Sequence, residues 1–116
     1  MSGAATPGKE AEEAAAAYLE ARGLKIVARN YHCRFGEIDL VMRDGQTLVF
    51  VEVRARRSAA YGGAAASITA AKREKINAAA RHYLSGRSSL PACRFDAVLI
   101  EGEPPRIEWM RDAFDS

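Results

Sequence analysis
Apolar side chains along this chain recur with two different periods, and the changes of period mark out its elements. From Gly8 to Arg22, Ala11, Ala14, Ala15, Tyr18 and Leu19 fall at the i, i+3, i+4, i+7, i+8 spacing of a helix with one apolar face, and Gly23 suits its end. The period then shortens. Ile26 and Val27 centre a short strand over Lys25 to Tyr31. Phe35 to Met42 and Thr47 to Arg54 make two more strands around Asp44-Gly45, a dipeptide that favours a hairpin turn. Helical spacing returns between Ser67 and Leu84, where Ile76, Ala79, Ala80, Tyr83 and Leu84 share a stripe. Ser67 or Thr69 can cap its first turn, and Gly86 lies past its end. A continuous apolar run from Phe95 to Ile100 reads as a strand, Pro104-Pro105 interrupts, and Ile107 to Met110 adds a last short one. The order α-β-β-β-α-β predicts an α/β fold with a mixed central sheet flanked by helices. Ser58 to Ala66, with Tyr61-Gly62-Gly63 and no periodicity, reads as a mobile loop, and residues 1–7 are expected to fray.

The hairpin carries the first hint of chemistry. With Asp44-Gly45 as a two-residue turn, Asp39 lies opposite Phe50 and Glu37 opposite Glu52, so Asp39 and Glu52 are diagonal neighbours. Alternation sets Glu37, Asp39, Glu52 and Arg54 on one face and Ile38, Leu40, Val49, Val51 and Val53 on the other. Three carboxylates on one patch repel each other and call for positive charge. Two readings stay open at this point. The patch binds a hard divalent cation such as Mg²⁺ through one or two carboxylates, water and a phosphate, or it is a solvated sheet edge paired with arginines.

Length and charge narrow the classes. At 116 residues the chain has room for a single domain, 1–116, with a real core. No run of about 18 apolar residues occurs, so no membrane span is expected. Met1 to Lys9 show no basic segment followed by an apolar stretch, and Cys33 and Cys93 stand apart without metal-ligand spacing. Both features point to a cytoplasmic protein with free thiols. The net charge of +2 argues little by itself, but its distribution is uneven. Glutamates crowd the start, whereas Arg56 and Arg57 precede the loop and Lys72, Arg73 and Lys75 open the second helix. These five are candidates for phosphate contacts, against the alternative of an ordinary solvated face. Aromatic residues form no ladder in the sequence, and no helix reads as a groove-reading element, so shape rather than base sequence is the expected target. His32 and His82 lack ligand-spaced partners; Asp96 opens an apolar strand and is expected to pair with an arginine; Tyr83, Phe95 and Trp109 are expected in the core. On a helical wheel Glu12 lies at the border of the apolar stripe, while Glu13 and Glu20 project away, so of these three only Glu12 can reach inward.

The strings Gly36-Glu37-Ile38-Asp39-Leu40 and Val49-Phe50-Val51-Glu52-Val53-Arg54-Ala55-Arg56 carry a resemblance. Gly8-x-x-Ala11-Glu12, Ala15, Tyr18-Leu19, Asn30-Tyr31, Lys72, Arg94-Phe95-Asp96 and Ala113-Phe114 extend it over nearly the whole chain. This combination resembles the YraN-like proteins, an uncharacterised bacterial family related to the PD-(D/E)XK nucleases and similar to archaeal Holliday-junction resolvases. The resemblance implies a restriction-endonuclease-like fold in which Asp39 and Glu52 bind Mg²⁺, or Mn²⁺ in its place, and Glu12 assists the metal or its water. It also implies an endonuclease acting on phosphodiester bonds of DNA, with branched DNA as the favoured substrate and a homodimer as the assembly. One position departs from the superfamily pattern. Where a lysine stands two residues after the glutamate, this chain has Arg54, which can hold a phosphate but cannot accept a proton. Three outcomes stay open: Arg54 acts purely electrostatically, Lys72 replaces the missing amine, or cleavage is weak or lost in a DNA-binding or protein-interaction module. An enzyme acting on a small phosphoester is a further reading, which leaves the basic loop and helix without a purpose.

Overall fold
The computed structural model describes residues 7–56 and 68–114. Along the chain run α1 (Pro7–Glu20), β1 (Lys25–Cys33), β2 (Gly36–Asp44), β3 (Thr47–Arg56), α2 (Ala70–Leu84), β4 (Cys93–Glu101) and β5 (Arg106–Met110). The strands form one five-stranded sheet in the order β1-β2-β3-β4-β5. Only β3 and β4 are parallel, joined by the crossover that contains α2; the other neighbours are antiparallel. The predicted α/β core is therefore present, with β5 as its closing edge strand. The expected loop over 58–66, Arg57 and the Ser67 cap lie outside the described residues. The cap of α2 is Thr69, whose side chain accepts from the Lys72 amide at 3.3 Å. Residues 1–6 also lie outside them, and helix begins at Pro7, within the stretch expected to fray.

The helices cover opposite faces of the sheet. Ala15, Ala16 and Leu19 of α1 pack on Leu40, Met42, Val49, Val51 and Val53. On the other face, Ile76, Ala79 and Ala80 of α2 pack on Ile38, Val41, Leu48, Phe50 and Phe95, with Tyr83 and Leu84 alongside, as the stripe predicted. The buried face of α1 is rotated from the predicted one, because Ala14 is exposed and Ala16 is buried. Alanine runs unbroken from Ala14 to Ala17, so the helix pattern alone does not choose among them. The buried Leu19 and Leu24 make the choice. The chain leaves α1 through Gly23, at φ 100°, while the Leu24 amide donates back to the Leu19 carbonyl at 3.2 Å.

The β2–β3 register differs from the expected one by two residues. Asp44 pairs with Thr47 across Gly45-Gln46, and Leu40 pairs with Val51. Gly45, at φ 63°, takes the first turn position, so the turn follows a Gly-X pattern and Asp44 remains in the strand. A shift of two keeps every side chain on its face. Ile38 is the exception to the expected alternation. It lies in the α2-side cluster, whereas Leu40 lies in the α1-side one.

Asp96 is fully buried in β4, and its carboxylate is saturated. Arg94 donates to both oxygens, Nε to Oδ1 at 2.9 Å and Nη2 to Oδ2 at 3.0 Å. Trp109 Nε1 (2.9 Å) and the Asp112 amide (2.9 Å) complete the set. Arg94 also reaches Asp44 at 3.2 Å, tying the β2–β3 hairpin to β4. This is the arginine pairing expected from the sequence. Removing one member of a buried ion pair leaves an uncompensated charge. Asp96→Ala is expected to lose about 3 kcal/mol or more of unfolding free energy in urea denaturation; a loss under about 1 kcal/mol would show the network to be dispensable.

Candidate active site
The sheet parts at one place. The β2–β3 ladder runs from Asp44–Thr47 to Leu40–Val51. Beyond it, β2 stays with β1 as far as Cys33–Gly36, while β3 stays with β4 as far as Arg56–Glu101. Where the strands separate, Asp39 Oδ2 accepts the Val53 amide at 2.8 Å, so a side chain replaces the missing carbonyl. Extending the same register sets Asp39 opposite Glu52, closer than the diagonal relation predicted.

Glu52 is 6% exposed and lies within hydrogen-bonding reach of Asp39. Burial and the neighbouring Asp39 push its pKa from 4.5 up to about 8, against the opposing pull of Arg54 and Lys72. Arg54 Nη2 meets Glu52 Oε2 at 2.6 Å, and Arg54 Nε is buried without a hydrogen-bond partner among the described residues. Glu12 enters the same group. Its pKa is also raised, first by burial and then by Asp39, while a hydrogen bond from the Asn30 side chain lowers it. The rotation of α1 accounts for this approach: Glu12 lies three and four residues before the buried Ala15 and Ala16, well within the inward face.

The acidic trio is thus Glu12, Asp39 and Glu52. Glu37, expected in the patch, stands at its margin instead. It is largely exposed and pairs with His32 at 3.1 Å, because β2 has already left β3 by that residue. Among the described residues no set of three or more His, Cys, Asp or Glu side chains forms a ready metal cage. The site offers the facing pair Asp39 and Glu52, with Glu12 beside Asp39.

A cleft of about 740 Å³ opens over these carboxylates. Glu12 lines it from α1, Asp39 and Glu52 from the sheet, and Lys72 and Lys75 from α2; Arg54 and Arg56 line it from β3. Lys72 acts electrostatically on Glu52, so the one amine considered as a substitute does face the site. Arg73 is exposed and does not line the cleft, and Arg57 lies outside the described residues. Helix α2 is seated by Gly36. A Cβ at Gly36 would come within 2.8 Å of the Lys75 carbonyl oxygen, so only glycine lets β2 and the lysine-bearing turn approach so closely.

Three contributors had no place in the site as read from the sequence. Asn30, in a left-handed conformation at φ 51°, steadies Glu12, and its place in a strand is uncommon enough to have drawn notice. Arg34 and Phe35, from the β1–β2 turn, line the rim of the cleft. Nothing in their spacing pointed there.

Fold and site together define a mixed α/β protein in which a buried glutamate faces a half-buried aspartate in a cleft rimmed by cations. The model of the uncharacterised protein family UPF0102 matches residues 11–100, and the chain belongs to that family. It is 56% identical over 116 residues to a UPF0102 protein of Nitrosomonas europaea, covering 99% of this chain and 98% of the relative. A UPF0102 protein of Ralstonia nicotianae is 61% identical over 117 residues, covering 97% and 88%. This is the YraN-like family that the motifs resembled. Among the described residues no helix is long and apolar enough to cross a membrane.

The raised Glu52 pKa has a thermodynamic consequence. A carboxyl that binds its proton more tightly when folded contributes stability below its ordinary pKa of 4.5, and that contribution is lost as pH rises through about 8. In EDTA the melting temperature is therefore expected to fall across this window, and Glu52→Gln to flatten the fall. Parallel pH curves for the two proteins would refute the assignment.

Proposed function
We propose that this protein is a divalent-metal-dependent DNA endonuclease. The observation that carries the reading is the facing of Asp39 and Glu52 inside a cleft whose rim bears Arg54, Arg56, Lys72 and Lys75. A buried carboxylate against a half-buried one is costly without a counter-ion, and one divalent cation with oxygen ligands offsets both. The donor set fits Mg²⁺ or Mn²⁺: two carboxylates hold it, and the cleft has room for water and a phosphate. When bound, such an ion polarises a phosphoryl oxygen and lowers the pKa of water. The chain's own groups do the rest. Lys72, Lys75 and Arg56 draw the polyanion in and offset its charge. Arg54, with Nε free of a partner among the described residues, holds the scissile phosphate and stabilises charge that develops on it. Glu12, beside Asp39 at the wall of the cleft, would help to hold the metal or orient a water molecule. The resemblance to restriction-endonuclease-like nucleases and junction resolvases supports the same chemistry and points to branched DNA. Two copies cutting opposite strands would be the matching assembly, and the free cysteines Cys33 and Cys93 suit a cytoplasmic setting.

A second reading rests on Arg54. Its 2.6 Å pair with Glu52 occupies the carboxylate that would hold metal, and it replaces the lysine of the superfamily. In that reading the cleft binds DNA but cleaves it weakly or not at all.

Linear, flapped and four-way-junction DNA, incubated with pure protein in Mg²⁺ or Mn²⁺, separates the two. The nuclease reading expects cutting that Asp39→Asn abolishes, together with a Mg²⁺-dependent rise in melting temperature at about pH 8 that Asp39→Asn loses; cutting that Arg54→Lys raises marks a site weakened by Arg54, as the second reading has it. Binding without cutting by both wild type and Arg54→Lys supports the second reading. Cutting that survives Asp39→Asn would overturn the assignment of the site.

A further inference from the structure
Aromatic residues scattered in the sequence come together beside the cleft. Phe35 lines its rim and is 44% exposed, unusual for a phenylalanine and outside every core cluster. Its ring centroid is 5.8 Å from that of His82. His82 lies 6.1 Å from Tyr31, whose hydroxyl bonds to His82 Nδ1, and Tyr31 lies 5.1 Å from Tyr83. Cations accompany the rings: the Arg34 guanidinium lies 4.9 Å from the Phe35 centroid and that of Arg87 lies 5.4 Å from the Tyr83 centroid. The row begins beside the carboxylates and leads away along α2.

A lone exposed ring needs no explanation. A row of rings interleaved with arginines and starting at a cationic cleft is different. Unpaired bases stack on aromatic and guanidinium planes while arginines hold the intervening phosphates. A blunt duplex has its bases stacked internally and offers such a row backbone along its length and no unpaired base. We infer that Phe35, with Arg34, stacks on an unpaired base next to the phosphate held in the cleft, so that the favoured substrate is DNA carrying a single-stranded tail. The inference rests on the reading of the cleft as a DNA site and adds the substrate class. Phe35 is on this view a specificity residue: it touches the nucleotide beside the reacting phosphate and takes no part in the bond change. Of the remaining rings, His82 of α2 meets Phe35 directly, Tyr31 backs His82, and Tyr83 backs Tyr31.

Fluorescence anisotropy in Ca²⁺, with a blunt duplex and the same duplex bearing a single-stranded tail, tests this without requiring cleavage. Wild type is expected to prefer the tailed DNA. Phe35→Ala should lower the ratio of tailed to blunt affinity by about tenfold, the scale of one lost base stack, and Phe35→Trp should restore the ratio with indole fluorescence quenched by tailed DNA alone. Far-ultraviolet circular dichroism and melting temperature check that each variant is folded. No preference for the tail in wild type, or equal losses for both DNAs in Phe35→Ala, overturns the inference. Asp39-dependent cutting of DNA with no tail preference would leave the nuclease reading intact and sink this one; a tail preference without cutting would do the reverse.

Discussion
The hydrogen bond from the Val53 amide to Asp39 Oδ2, 2.8 Å long, stands where the β2–β3 ladder would otherwise continue, and the whole site depends on it. A buried amide must find an acceptor, and a sheet that opens deprives two strands of theirs. By supplying the acceptor from a side chain, Asp39 lets β2 follow β1 and β3 follow β4 with little loss. The opening becomes the floor of the cleft. The same bond fixes the Asp39 carboxylate against Glu52, in surroundings that raise the cost of every charge there.

That cost organises the neighbourhood. Burial and the nearby Asp39 carboxylate disfavour charge on Glu52 and on Glu12, and the pKa values of both rise accordingly. Arg54 and Lys72 relieve part of the repulsion. The relief is incomplete, which is the physical condition under which a site accepts an added cation and, after it, an anionic ligand. A stability optimum would have placed an apolar pair at these positions, as buried ionic groups seldom repay their desolvation. Glu52 stands among Val49, Phe50, Val51 and Val53 of β3, all buried, where its charge is costly.

A rigid frame keeps the opening from closing or widening. The Arg94–Asp96 pair, saturated by Trp109 and the Asp112 amide and extended to Asp44, locks β2, β4 and β5 at the far end of the hairpin. At the near end, the close approach of Gly36 to the Lys75 backbone sets the depth at which α2 lies against the sheet. Lysines on that first stretch of α2 are held over the carboxylates as a result, and Phe35, one residue before Gly36, is held at the rim.

Hydrophobic periodicity by itself determined the elements, their order and the buried stripe of α2, because core packing against a sheet demands those periods whatever the neighbours are. It also determined that Asp39, Glu52 and Arg54 share a face, since alternation survives a register shift of two. Tertiary structure decided what periodicity cannot encode. Gly45 taking the first turn position moved Asp39 from a diagonal to a facing relation with Glu52. In an alanine-rich helix, only Leu19 and Leu24 finding their places in the core chose the inward face and so brought in Glu12. Parting of the strands sent Glu37 out to His32, and the seating of α2 left Arg73 on its exposed side. Tyr31 and Phe35 are distant in sequence from His82 and Tyr83, and only the folding of α2 against β1 and β2 makes them neighbours. Short-range pattern carries information about burial; the meeting of polar and aromatic groups from separate elements is a property of how those elements dock.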